Sequence, residues 1–236
     1  MRSFLVIAMF AASLAHAGWS DYEEVRNLNL AADGISQLTI NAGAGSMDVT
    51  GVKGADNITV KATIVVPDKN EDDAVGVIEK RIKLRLEKNA GEAELDAWFE
   101  SGLMSFGSSP YIALEISVPS GMAVNIDDGS GSIDVVDVAG DITIDDGSGS
   151  IDIRNVAHVK IDDGSGSIDI ESVMGDVSIV DGSGSISVKH VAGSVTVDDG
   201  SGSIEVSDID SDLIIVYDGS GSLRYSDIRG TVDAET

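Results

Sequence analysis

The sequence DDGSGSIDV spans Asp127 to Val135 and recurs with small changes as far as the C-terminus. The glycine of its Asp-Gly pair falls at six positions: Gly129, Gly147, Gly164, Gly182, Gly200 and Gly219. Successive copies are therefore 17 to 19 residues apart. Self-similarity at a short, fixed period is typical of stacked repeat proteins, and the predicted fold depends on it.

Each copy contains two short runs in which apolar and polar residues alternate, as around Ile133 and Ile142 in the unit from Gly129 to Asp146. The turns Gly129-Ser130-Gly131 and Ala139-Gly140 separate these runs, with glycines free to take positive φ. Val138 breaks the alternation, which predicts a bend or bulge near Asp137. One unit buries too little apolar surface to offset its conformational entropy, so copies must stack.

The predicted fold is all-β: a single-chain parallel β-solenoid (β-helix) with coils of about 18 residues. A β-sandwich of hairpins is the alternative. A degenerate first copy at Gly43–Val49 indicates that the array begins near residue 38. Residues 61–120 interrupt it with a strand ending at Pro67, a hairpin over 82–97 and a further strand at 111–119. A short helix is predicted between them within 68–81, with Asp72 or Asp73 as its N-cap.

The chain's aromatic cluster lies in the same N-terminal region. We interpret it as an apolar plug over one end of the stack, because terminal units of repeat arrays need capping, and a binding surface is the alternative. Its members are Trp98, Phe99, Leu103, Met104 and Phe106.

The first residues have the pattern of a secretory signal peptide, with Arg2, an apolar run from Phe4 to Leu14, and a cleavage motif ending at Ala17. The apolar run is shorter than a bilayer span, so no transmembrane anchor is expected after cleavage. The predicted organisation is a signal peptide at 1–17 and one domain at 18–236, with irregular coils and a cap to 120 and regular repeats from 121. The mature protein is expected in the periplasm or outside the cell.

The composition is strongly acidic, with 41 acidic and 15 basic residues and a net charge of −26. Such a charge argues against nucleic acid as a partner and favours cations or basic peptides. The chain has no cysteine, which excludes disulfides, thiolate metal sites and a lipidated lipoprotein cysteine.

Stacking predicts a column with one aspartate from each coil, which we call the inner ladder. It is the candidate metal site, for Ca²⁺ or another hard cation, and no other cofactor is expected. Alternatively, each carboxylate accepts hydrogen bonds from its own turn, and loose counter-ions screen the column. Its members are Asp128, Asp146, Asp163, Asp181, Asp199 and Asp218.

Known calcium motifs match poorly. Ile133 stands where the glycine-rich nonapeptide needs aspartate, and Leu213 and Gly219 replace the glycine and the glutamate of an EF-hand loop. A second column, the outer ladder, is interrupted by Val180 and Tyr217. Its members are Asp127, Asp145, Asp162 and Asp198.

No catalytic site is predicted. The mature chain has two histidines, His158 and His190, and neither belongs to a recognisable triad. Carboxylate pairs are abundant through repetition alone, so a carbohydrate-active β-helix enzyme is kept only as an alternative. Columns of serines at Ser130 and Ser132 and their equivalents could present hydroxyl groups to a polysaccharide, although turn chemistry explains them equally well.

The chain resembles a family of secreted bacterial β-strand-repeat proteins of unknown function labelled "putative adhesin". The resemblance rests on the signal peptide, the AGAGSMDV segment at 42–49, LEISVPSG at 114–121 and the serial DDGSGSI copies. It implies a β-helical secreted or envelope protein without an established activity. We therefore expect a non-enzymatic adhesin-like or scaffold protein whose partner is a cell-surface or envelope component, either protein or polysaccharide. The alternative is an acidic binding module for cations or basic peptides.

Overall fold

The computed structural model describes residues 21–100 and 109–234. The predicted signal peptide and the cluster members Leu103, Met104 and Phe106 lie outside the described residues. Within the described residues there are 20 strands and one helix. In chain order they are β1 (Tyr22–Ala31), β2 (Gln37–Ala42), β3 (Met47–Val52), β4 (Asn57–Val66), α1 (Glu71–Arg81), β5 (Ile82–Asn89), β6 (Glu92–Phe99), β7 (Tyr111–Pro119), β8 (Ala123–Asp128), β9 (Gly131–Val136), β10 (Asp141–Asp146), β11 (Gly149–Val156), β12 (His158–Asp163), β13 (Gly166–Val173), β14 (Val177–Asp181), β15 (Gly184–Val191), β16 (Val195–Asp199), β17 (Gly202–Ile209), β18 (Leu213–Asp218), β19 (Gly221–Ile228) and β20 (Val232–Ala234).

The strands form two ten-stranded sheets, and each regular coil contributes one strand to each sheet. Sheet A has the order β1-β4-β7-β3-β9-β11-β13-β15-β17-β19, and sheet B the order β20-β18-β16-β14-β12-β10-β8-β2-β6-β5. From β8 onward every pairing is parallel and joins equivalent positions of consecutive coils. The pairing of β16 with β18 contains one register shift, between Val197 and Asp198. The predicted parallel β-solenoid is confirmed.

The core consists of vertical files of β-branched side chains between the two sheets. Ile133 lies next to Ile151, which lies next to Ile168, and each is at most 1% exposed. Burial alternates along each strand, as the sequence pattern predicts, because successive side chains point to opposite faces. The predicted bend also occurs, since Asp137 adopts a left-handed conformation with φ of 60°.

Glycines permit the close stacking of the coils. At Gly149 φ is +153°, and an added Cβ would lie 1.6 Å from the carbonyl oxygen of Gly131. The positive φ expected at Gly129 and Gly140 is wrong, since neither is among the positive-φ glycines. Glycine is needed there for clearance: a Cβ at Gly140 would lie 2.2 Å from the Met122 carbonyl oxygen.

The array begins near residue 38, as predicted, because β2 pairs with β8 and β3 pairs with β9. Between β3 and β8 the chain makes an excursion through β4, α1 and β5 to β7, which lengthens both sheets beyond the first coil. The predicted hairpin is β5–β6. Ala74 and Ile78 of α1 are buried in the core. The predicted helix cap is wrong: α1 begins after Asn70, whose Oδ1 accepts the Asp73 backbone N–H at 3.0 Å. Asp72 and Asp73 lie in the first turn, where acidic side chains interact favourably with the helix dipole.

Candidate functional site

The inner ladder exists as predicted. Its six aspartates each end a strand of sheet B, and every consecutive pair is in direct register. Neighbouring rungs are therefore one strand spacing apart, about 4.8 Å.

Five of the six members of the inner ladder are buried, because strict alternation places them on the same face as Ile126 and Ile144, whereas Asp218 is partly buried. From Asp128 to Asp199 the exposed fraction is at most 5%, and Asp199 has none. The expectation of loose counter-ion screening therefore fails for this column: mobile ions in bulk solvent do not reach buried carboxylates.

Four of the six carboxylates, those of Asp146, Asp163, Asp181 and Asp199, are each held by their own turn through Oδ1. Oδ1 of Asp146 accepts the Ser148 backbone N–H at 3.3 Å, and Asp181 accepts that of Ser183 at 3.0 Å. Asp163 and Asp199 bond in the same way. The predicted hydrogen bonds from backbone N–H groups of the turn to the aspartates are confirmed for these four residues. In all six aspartates one carboxylate oxygen is buried and has no hydrogen-bond partner among the described residues: Oδ1 in Asp218 and Oδ2 in the other five.

Burial raises the pKa of these carboxyl groups. It raises the pKa of Asp128 to about 7, with the Asp146 charge as a second cause, and that of Asp181 to about 6. Burial likewise raises the pKa of Asp146, Asp163 and Asp199. Desolvation and a like charge one rung away both disfavour the ionised form. Asp128 is therefore expected to titrate close to neutral pH, well above the range of an exposed aspartate.

Calcium requires six to eight oxygen ligands, whereas each rung of the inner ladder offers one buried oxygen free of other bonds. Among the residues that the structure describes, no group of three or more His, Asp or Glu side chains is arranged to hold a metal ion. Calcium binding by the ladder stays a prediction, and metal addition and removal test it directly.

The outer ladder is also in register, from Asp127 through Asp145 and Asp162 to Asp198, with Val180 and Tyr217 as the expected interruptions. The first three of these aspartates are exposed, so this column is part of the acidic surface.

Sequence reasoning missed a third acidic column, on the outer face of sheet A. Asp48 pairs with Asp134, and the column continues through Asp152 to Asp169. Burial raises the pKa of Asp48, and the nearby charges of Asp134 and Glu115 add to this effect. The recurring aspartate of the SID triplet was a visible signal. However, only the pairing of β3 with β9 places Asp48 in the column.

The serine column that begins at Ser132 is aligned along the outer face of sheet A, where its hydroxyl groups are largely exposed. Ser222 Oγ lies 3.2 Å from Ser203 Oγ, so neighbouring hydroxyls also bond to each other. A flat, hydroxylated file is therefore available to a ligand.

The two histidines are not brought together. His158 begins β12 in sheet B, and its Nδ1 accepts the Asp176 backbone N–H at 3.0 Å, which is a structural role. His190 lies in β15 of sheet A, with Nε2 3.3 Å from Asp208 Oδ2. In the described part of the chain no helix is both long and apolar enough to cross a membrane.

Comparison with known proteins gives structural matches only, since the sequence matches no family model and no curated protein. One similar structure is a "putative cell adhesion protein" from Clostridium sporogenes, with a TM-score of 0.35, 11% identity and coverage of 91% of this chain and 99% of that chain. Another is a "putative adhesin" from Bacteroides fragilis, with a TM-score of 0.41, 14% identity and coverage of 89% and 97%. A third, from Parabacteroides merdae, has the same description, a TM-score of 0.27, 7% identity and coverage of 90% and 96%. These three structures are therefore described as putative adhesins or as a putative cell adhesion protein.

Proposed function

We propose that this chain is an exported, non-enzymatic β-solenoid that acts as an adhesin-like or scaffold protein of the cell envelope. The observation that carries the proposal is the pair of flat outer faces, on which identical polar groups repeat in register. The Ser132 file lies on sheet A and the outer ladder on sheet B. Such a surface offers many equivalent contacts, and several weak contacts together give strong attachment.

Rigidity supports the same role. Each coil is hydrogen-bonded to its neighbours along both sheets, and the aliphatic core is continuous from the first coil to the last regular one. Stacked repeat proteins form extended surfaces, and they use these surfaces for binding.

The test is a pull-down from envelope and cell-surface extracts with the mature protein, with the captured component identified. Capture of a surface protein or polysaccharide that survives 0.5 M salt supports the proposal. Turnover on a panel of polysaccharides, abolished by one carboxylate substitution, would contradict it and favour the enzyme alternative.

The acidic binding module is a second candidate, favoured by the net charge of −26. Electrostatic binding weakens steeply as salt is added, because exposed charges are screened. A captured component that is released between 0.05 and 0.5 M salt would therefore favour this second function.

A further inference from the structure

One corner of the solenoid contains a groove that none of the sequence motifs indicated. It runs along the stack where the strands of sheet A end, and its cavity volume is about 860 Å³. Binding sites for small ligands and peptide side chains commonly have volumes of 300–1,000 Å³. Its lining includes Asn155, Ser172, His190, Asp208 and Asp227, one from each of five consecutive coils.

These five residues occupy the same place in every coil. All five adopt left-handed backbone conformations, with φ between 54° and 64°. In each coil this residue lies between two residues that pair with the neighbouring coil. Asn155 and Ser172, for example, lie between the strand pairs Arg154–Glu171 and Val156–Val173. Because four strand spacings separate the first from the last, the groove is about 19 Å long. An extended peptide rises about 3.3 Å per residue, so a segment of about six residues fits along it.

The charge of the groove selects a basic ligand. Three aspartates, Asp208, Asp210 and Asp227, line it together with Arg229 and His190. His190 Nε2 lies 3.3 Å from Asp208 Oδ2, so Asp208 has one partner within the groove. Arg229 is engaged by Asp210 at 2.8 Å. Asp227 has no ion pair or side-chain hydrogen bond within the described residues. A cationic side chain would therefore find carboxylate partners there, whereas an anionic ligand would be repelled.

The groove also has an apolar part. Met174 is 64% exposed, which makes it the most exposed of the large hydrophobic side chains in the described residues. It lies beside Ala192 in the lining. Methionine is flexible and polarisable, and it adapts to apolar side chains of different shapes. Apolar contact and carboxylates in one groove match a segment that contains both apolar and basic residues.

We propose that this groove binds an extended basic peptide segment of a partner protein, with a lysine or arginine at Asp208 and Asp227 and an apolar side chain against Met174. The proposal rests on the binding role proposed above and locates a site for it.

The test uses a fluorescein-labelled hexapeptide of alternating leucine and lysine, measured by fluorescence anisotropy against the full mature chain. The groove variant combines Asp208→Asn with Asp227→Asn. Asparagine tolerates the left-handed conformation, so the fold is kept. The matched control combines Asp145→Asn with Asp162→Asn, which removes the same charge from the exposed outer ladder of sheet B. Thermal melts of both variants check that the fold is intact.

We expect the groove variant to weaken peptide binding at least tenfold and the control pair to weaken it less than twofold. We also expect Met174→Ser to reduce the preference for this peptide over an alternating serine–lysine peptide. Equal weakening by both double variants would overturn the proposal, because binding would then follow the overall field. Absence of peptide binding would also overturn it. If envelope capture persisted in that case, the proposed function would stand without the groove.

Discussion

Replacing Asp128 with asparagine is expected to stabilise the fold at pH 8. The Asp128 side chain is buried, and its pKa is raised from 3.8 to about 7 by burial first and by Asp146 second. A shift of one pKa unit corresponds to about 1.4 kcal/mol, so a shift of roughly three units means that ionisation of Asp128 costs about 4 kcal/mol more in the folded chain than in the unfolded chain. A buried amide group without full hydrogen bonding costs about 1–3 kcal/mol of this gain. The net expectation is a gain of about 1–3 kcal/mol, or an increase in Tm of roughly 2–12 °C.

The direction of the Asp128 pKa shift determines how the stability of the fold depends on pH. Because the pKa is higher in the folded state, stabilisation by protonation is complete below the unfolded value of 3.8 and is lost as the pH rises through about 7. The stability of the wild-type protein should therefore fall from pH 5 to pH 8, and that of Asp128→Asn should fall less. The advantage of the variant should shrink by about 2–3 kcal/mol between pH 8 and pH 5.

The assay is thermal unfolding followed by circular dichroism at both pH values, with Asp127→Asn as the matched control. Asp127 is adjacent in the chain but exposed, so its substitution should change stability by no more than about 0.5 kcal/mol. A lower Tm for Asp128→Asn at pH 8, with an unchanged pH profile, would refute the reasoning. It would show that ionisation of Asp128 does not destabilise the folded chain.

Three further outcomes follow from the same structure. Gly149→Ala should abolish folding or lower the Tm by more than 10 °C, because its Cβ would lie 1.6 Å from the Gly131 carbonyl oxygen. The matched control is Gly76→Ala in α1, which has open space around it and should be neutral or stabilising by about 1 kcal/mol. Ile170→Ala should reduce the free energy of unfolding by about 2–5 kcal/mol, because it leaves a cavity in the core. Val180→Ala, at a position that is 44% exposed, should reduce it by less than about 1 kcal/mol. Equal losses of stability in urea titrations would contradict the assigned core. Calcium binding by the inner ladder predicts a higher Tm in Ca²⁺ than in EDTA, and an unmoved midpoint would exclude it.

The parts of the fold predicted best are those that the repeat specifies several times over. Ile133 and Ile151 occur in equivalent copies, so one alternation pattern fixes the inward face of every coil. The N-cap was harder to place, because Asn70, Asp72 and Asp73 are all competent caps and the chain's path after Pro67 decides which one is used. The groove could not be predicted, since it forms only where left-handed residues of five coils lie one above another.

The sequence by itself determined the period, the alternation and the alignment of equal residues, because strand pairing between near-identical copies favours a single register. It did not determine whether strand β8 continues to Asp128, which buries that side chain, or ends before it, which would leave the side chain in water. Asp127 and Asp128 are adjacent and chemically identical, and the pleat of β8 places one outside and the other inside. That choice is made by the packing of the two sheets, since burying Val124 and Ile126 requires Asp128 to be buried with them.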